Sequence, residues 1–147
     1  MSNLVEQLAL IVGNKAVITG DLLLDRATSY WDATPTQAQM LVKPASTEEV
    51  SRILAHCHNL NQSVVVQGGL TGVVAGAKSA SEDVIISLER LNKIEDVDAQ
   101  EGVATVQAGV ILQKLQETLA NQDLLFPLDL GARGSCTIGG NVATNAG

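Results

Sequence analysis

Ser46-Thr47-Glu48-Glu49 constrains the fold more than any other feature of the sequence. A hydroxyl followed three residues later by a carboxylate is a capping box, in which the serine oxygen takes an amide of the first turn and Glu49 folds back to the N-cap amide. The helix begun there runs to about Leu60 and stands between two short runs of strand type. These are Met40-Leu41-Val42, before Lys43-Pro44, and the β-branched run Ser63-Val64-Val65-Val66, which stops at Gly68-Gly69. Val84-Ile85-Ile86-Ser87-Leu88 supplies a further strand. Strand, helix, strand, glycine loop and strand in close succession define a βαβ-type unit with a parallel sheet.

Around that unit the signals are local. Leu4, Val5, Leu8, Ile11 and Val12 follow helical spacing and predict a short opening helix, capped by Ser2 or Asn3 and stopped at Gly13. Lys93 to Val97 and Val103 to Ala108 flank Asp98-Ala99-Gln100-Glu101-Gly102, which has the residues and length of a hairpin turn. Ile111, Leu112, Leu115 and Leu119 give a second amphipathic helix. From Phe126 onward Gly, Ser, Thr and Asn crowd into a stretch with little regular period, which reads as a functional loop. The fold class expected is α+β, with a small parallel βαβ subdomain and a second, mixed or antiparallel subdomain.

Composition narrows the function. With 147 residues, 46% hydrophobic and 17% charged, the chain is long and apolar enough for one compact core and too apolar for disorder. Its formal charge of −7 repels a phosphate backbone, which excludes nucleic acid as a partner. The first fourteen residues hold no Lys or Arg, and the apolar stretch Leu8 to Val12 is too short to span a bilayer. A cytoplasmic protein without a transmembrane segment is expected. Cys57 and Cys136 lie far apart and outside any Cys-x-x-Cys pair, so neither a disulfide framework nor zinc is indicated. His56 and His58 are separated by about 200° around a helix and cannot chelate one ion together; they read as ordinary helix positions.

Two constellations can carry chemistry. The first, Gln67-Gly68-Gly69-Leu70-Thr71-Gly72-Val73-Val74-Ala75-Gly76, follows a buried strand directly. Clustered glycines let the chain turn at φ > 0 and aim successive amides at one anion, which suits an acidic protein because backbone dipoles replace a Lys or Arg patch. It is not a Walker loop, since only three residues lie between Gly72 and Gly76 and Ala77 separates Gly76 from Lys78-Ser79. Nor is it a Gly-x-Gly-x-x-Gly fingerprint, since Gly68 and Gly69 are adjacent and position 71 is Thr. As plain structure it would be a tight surface turn. The second runs from Phe126 to Gly147 and offers hydroxyls at Ser135, Thr137 and Thr144 and amides at Asn141 and Asn145, all small groups able to reach a phosphate or a ribitol chain. Within it Cys136 reads as a small packed residue and Arg133 as an exposed loop charge. Tyr30 and Trp31 read as core or interface anchors.

Taken together, Val-Val-x-Gln-Gly-Gly-x-Thr-Gly at the first stretch and Phe-Pro-Leu-Asp-Leu-Gly with Thr-Ile-Gly-Gly-Asn-Val-Ala-Thr-Asn-Ala-Gly at the second resemble the FAD-linked oxidases of the vanillyl-alcohol oxidase and p-cresol methylhydroxylase-type superfamily. The resemblance runs from about Pro44 to Gly147. It is nearest to the branch of D-2-hydroxyglutarate dehydrogenase, D-lactate dehydrogenase and the glycolate oxidase FAD subunit. It implies an N-terminal helical segment over 1–40 and, over 41–147, the first part of an FAD-binding domain that stops short of a substrate domain.

By the same resemblance Gln67, Gly68, Gly69, Leu70, Thr71 and Gly72 wrap the FAD pyrophosphate. Pro127, Asp129, Ser135, Thr137, Gly139, Gly140, Asn141 and Asn145 line the flavin and ribityl side. Leu70 stands where the branch usually has Asn and covalent members of the superfamily have His, so noncovalent FAD is expected. The implied reaction is oxidation of a D-2-hydroxy acid by hydride transfer to flavin, with electrons passed to an acceptor. No catalytic or metal-binding residue is assigned to this stretch. The alternatives are a flavin oxidase or reductase of the superfamily with another substrate, and a non-catalytic binding domain. A chain ending inside its cofactor domain leaves an unfinished sheet, from which a homo-oligomer that holds FAD weakly is expected.

Overall fold

The computed structural model describes residues 2–146. Its main sheet has the strands β1 (Val17–Ile18), β2 (Met40–Val42), β3 (Val64–Gln67) and β4 (Val84–Ser87), in the order β1-β2-β4-β3. The last three are parallel, with Leu41 and Val65 both paired to Ile85, as the strand–helix–strand pattern requires. β1 was not legible in the sequence. It is two residues long and adds to β2 in the antiparallel sense, with Val17 opposite Val42.

Both faces of the sheet are covered. On one, helices α1 (Ser2–Val12) and α3 (Thr47–Asn59) bring Leu8, Val12, Ile53 and Cys57 against Met40, Val42, Val84 and Ile86. On the other, Leu41 and Ile85 pack under Leu23 of the short helix α2 (Asp21–Leu24). β4 is therefore buried at every position, the expected state of a central parallel strand sandwiched between layers. The capping box forms with one change. Ser46 Oγ accepts from the Glu49 N–H, but the Glu49 carboxylate accepts from Ala45, one residue ahead of the cap. Ala45 lies past the end of β2, so its N–H has no partner in the sheet.

A second, two-stranded sheet is the hairpin β5 (Ile94–Asp98) and β6 (Val103–Val106). The Asp98 carboxylate accepts from the amides of Gln100 and Glu101 and Gly102 takes φ 67°, which fixes the turn. Helix α4 (Leu112–Ala120) covers the hairpin with Leu115 and Leu119, joined by Val110, Phe126 and Ile138.

Two expectations are corrected. The stretch after Phe126 is not loop throughout: Ile138–Thr144 forms helix α5, although two of its seven residues are glycine. Tyr30 and Trp31 are not core anchors. They stand 75% and 69% exposed and meet edge to face at 4.9 Å. No helix among the described residues is long and apolar enough to cross a membrane.

Ile85 is fully buried in the middle of the main sheet, and truncating it leaves a cavity beneath Leu23 and beside Leu41. Ile85→Ala should lower stability by about 3–4 kcal/mol in urea titration. Leu125→Ala, at a side chain 84% exposed, should change it by less than about 0.5 kcal/mol.

Candidate cofactor site

The two glycine-rich stretches, far apart in sequence, meet in space. β3 delivers Gln67 to its C-terminal end, where the side chain is buried and Nε2 donates to the Ala77 carbonyl at 3.0 Å, closing the base of the loop that follows. The next two residues press against the second stretch, Gly68 on a side chain and Gly69 on the backbone. A Cβ on Gly69 would lie 2.0 Å from the Ser135 carbonyl oxygen, and one on Gly68 would lie 2.6 Å from Thr137 Oγ1. The glycine pair therefore serves close approach, and a side chain at 69 would meet Ser135 before it met any ligand. The left-handed positions of this loop fall on Leu70 and Ala75, both at φ 57°, where the sequence had suggested glycine would do that work. Asn, the residue that the resembling branch carries at position 70, tolerates this conformation better than leucine. Thr71 is half-buried, and the Cβ direction of Gly72 is open.

Thr137 carries the junction into α5. Its hydroxyl faces the Gly140 amide at the helix start, and its carbonyl accepts from Asn141. Gly139 comes so close to Ala108 that a Cβ would lie 2.7 Å from the alanine methyl, and its N–H donates to the Ala108 carbonyl at 2.8 Å. Asn145 ends the helix in the left-handed region, with the Ala146 N–H returning to the Asn141 carbonyl. A glycine that sequence reasoning passed over, Gly109, makes the same kind of contact, with a Cβ direction 2.0 Å from the Leu88 carbonyl. Only its place between an apolar strand and an apolar helix could have drawn notice.

Of the residues proposed from sequence, Gln67, Gly68, Gly69, Ser135, Thr137, Gly139, Gly140 and Asn141 thus gather around one junction, and Leu70, Thr71 and Gly72 continue its loop. Asn141 and Asn145 also line an open groove of about 400 Å³ with Phe126, Leu128, Ile138, Val142 and Ala146. Pro127 and Asp129 stand exposed beyond it, and Asp129 is paired with Arg133 at 3.0 Å on a separate shallow cleft. Arg133 is the exposed loop charge expected. Cys136 is buried behind the junction. His56 joins α3 to α1 through Gln7 at 2.8 Å, an ordinary helix role. Burial pushes the Cys57 thiol above its usual value.

The charges near the ends of β2 and β4 are already spent on one another. Glu89 pairs with Lys43 and with Arg26. Burial would raise its carboxyl, but the Lys43 hydrogen bond and charge, the Arg26 charge and a hydrogen bond from Ser87 hold it below the ordinary carboxylate value. An anion at this junction would depend on backbone amides and small polar side chains. Two buried polar atoms there have no partner among the described residues: the acceptor Gln67 Oε1 and the donor Asn141 Nδ2. A buried donor without a partner in a residue that lines a mostly apolar groove, close to a glycine-rich loop at the same junction, fits a cofactor with a flat ring system, a polyol and a pyrophosphate.

An α+β domain with this junction is a cofactor-binding domain in architecture. Residues 38–147 match a family model described as an FAD binding domain, and the chain belongs to that family. The D-2-hydroxyglutarate dehydrogenase of Danio rerio, mitochondrial by its name, is 40% identical over 139 residues, covering 95% of this chain and 26% of the relative. The D-2-hydroxyglutarate dehydrogenase of Xanthomonas citri pv. viticola is 42% identical over 120 residues, covering 82% of this chain and 25% of the relative. The chain spans about a quarter of the length of these curated relatives. Among solved structures, an alkyldihydroxyacetonephosphate synthase superposes with a TM-score of 0.86 at 24% identity, covering 98% of this chain and 32% of that one. That likeness supports the fold.

The Gly69 contact makes a direct forecast. Gly69→Ala should cost about 3 kcal/mol in urea titration, because the methyl meets a backbone carbonyl that cannot rotate away. Gly72→Ala, in open space, should stay within about 0.5 kcal/mol of the parent.

Proposed function

We propose that this chain is the FAD-binding portion of an oxidoreductase that oxidises a D-2-hydroxy acid of the D-2-hydroxyglutarate, D-lactate or glycolate type. The observation that carries the reading is the junction itself, where the two stretches proposed for the cofactor pack together and leave Asn141 Nδ2 without a partner beside an open groove. Family membership and the names of the relatives support the cofactor and the substrate class.

In this reading the amides of Gly68 to Gly72 hold the pyrophosphate, with Gln67 fixing the base of the loop. Ser135, Thr137, Gly139, Gly140, Asn141 and Asn145 border the ribityl chain and the flavin, with Pro127 and Asp129 at the outer edge. When bound, FAD supplies a two-electron acceptor for the hydride of a substrate C–H bond. This chain's part is binding and orientation. Amide N–H groups would replace water around the pyrophosphate, and Asn141, whose Nδ2 has no partner among the described residues, would turn its amide to the cofactor. Phe126, Leu128, Ile138 and Val142, which line the groove, would supply its apolar surface to the ring system. The substrate and the electron acceptor would be met by residues beyond those matched here.

FAD should be held without a covalent bond, because Leu70 offers no nucleophile. Acid precipitation of the protein should leave the yellow colour in the supernatant, and colour in the pellet would contradict it. The pyrophosphate assignment is tested at Gly72, where a side chain meets no protein atom within 4 Å. A carboxylate within about 4 Å of the pyrophosphate costs roughly 4 kcal/mol at intermediate dielectric, on the order of a thousandfold in Kd. Gly72→Asp should therefore weaken FAD sharply in a fluorescence titration while leaving the thermal midpoint in place. An unchanged Kd would remove the loop from the site.

A further inference from the structure

The segment 26–37 precedes the residues that match the family, yet it is tied to the glycine loop at both ends of that loop. The Tyr30 N–H donates to the Leu70 carbonyl at 2.9 Å. Ser79 Oγ donates to the Gln37 carbonyl at 2.6 Å. The Asp32 carboxylate accepts from the Thr34 hydroxyl and N–H within the segment, which lowers its pKa.

The segment is itself braced. Thr28 N–H donates to the Thr34 carbonyl and Thr36 N–H to the Arg26 carbonyl, around a bridge between Ala27 and Pro35. Its tip is a turn from Ser29 to Asp32, in which Ser29 Oγ accepts from the amides of Trp31 and Asp32. Arg26, at the base, is paired with Glu89 beyond the end of β4. A short rigid arm, anchored to the main sheet, thus ends with one amide on the carbonyl of residue 70.

That carbonyl belongs to a leucine at φ 57°, a conformation an L side chain with a Cβ avoids. Left alone, residue 70 would relax to negative φ and the amides after it would turn elsewhere. We propose that segment 26–37 is a strap that holds the loop in its anion-binding shape, with Tyr30 as a positioning residue acting through Leu70. The proposal rests on the reading of this loop as the FAD pyrophosphate cradle, and the strap and the cradle are separable by experiment.

Tyr30 occupies the second position of its turn, where proline is favoured, so Tyr30→Pro removes the N–H in a backbone setting that suits proline, along with the exposed ring contact to Trp31. Amide exchange over residues 69–76 reads the loop without any cofactor, and flavin titration reads the site. In Tyr30→Pro the loop amides should exchange at least about tenfold faster, and the Kd for FAD should rise about tenfold. Adding Leu70→Gly, which abolishes the left-handed penalty, should bring both back to within about threefold of the parent. Ser79→Ala, which cuts the other tie, should loosen the same amides and be rescued in the same way, and it serves if the proline variant does not fold. Unchanged exchange in these variants would overturn the strap. Loosening that Leu70→Gly does not reverse would overturn its action through residue 70. A loosened loop with unchanged FAD affinity would overturn the cradle while the mechanical tie stood.

Discussion

The contact on which the rest depends is the one between the backbone of Gly69 and the carbonyl of Ser135, where no Cβ fits. It joins the end of a parallel strand to a stretch that returns after the hairpin and α4. Gly139 against Ala108 and Gly109 against Leu88 repeat the device along the same seam. At two of these contacts the near backbones also hydrogen-bond: Gly139 donates to Ala108 and Gly109 to Leu91. The two sheets are thus joined as much by main-chain contacts at glycines as by interdigitated side chains, which reconciles so much glycine with an ordered core.

The parts of this architecture that could be read from sequence are those with local causes. The Ser46 cap, the parallel strands around α3, and the hairpin stopped by Asp98 and Gly102 all follow from residues within one turn or one strand. What could not be read depends on contacts made across the chain. Helix α5 contains Gly139 and Gly140, which lower helix propensity, and it forms because Thr137 caps it and Gly139 must lie flat on Ala108. β1 is too short to show a period and exists because β2 offers an edge. The motifs marked stretches that meet at one junction, but not what each residue does there. Glycines that suggested positive φ turned out to permit packing, and the positive φ fell on Leu70 and Ala75.

Charge frames the chemistry. In the proposed reading, a chain with a formal charge of −7 that pairs Arg26 and Lys43 with Glu89 would meet an anionic cofactor with oriented amides in place of opposing ions. Amide dipoles act at short range, so such a site discriminates by shape and register more than by long-range attraction. The geometry of the loop, and whatever holds that geometry, then matters more to affinity than net electrostatics.

The placement of β3 at one edge of the main sheet bears on how this sequence can drift in length. Gln67 is buried while its neighbour Val66 is 52% exposed, so the strand has one inward and one outward setting at its end. A single inserted residue between Val64 and Gln67 would exchange those settings, put the amide in solvent, and carry Gly69 off the Ser135 carbonyl. The hairpin tip at Ala99 to Gly102 carries no such constraint, since its residues are exposed. Insertions should therefore accumulate at the tip, while the few residues that lead into the loop keep a fixed count.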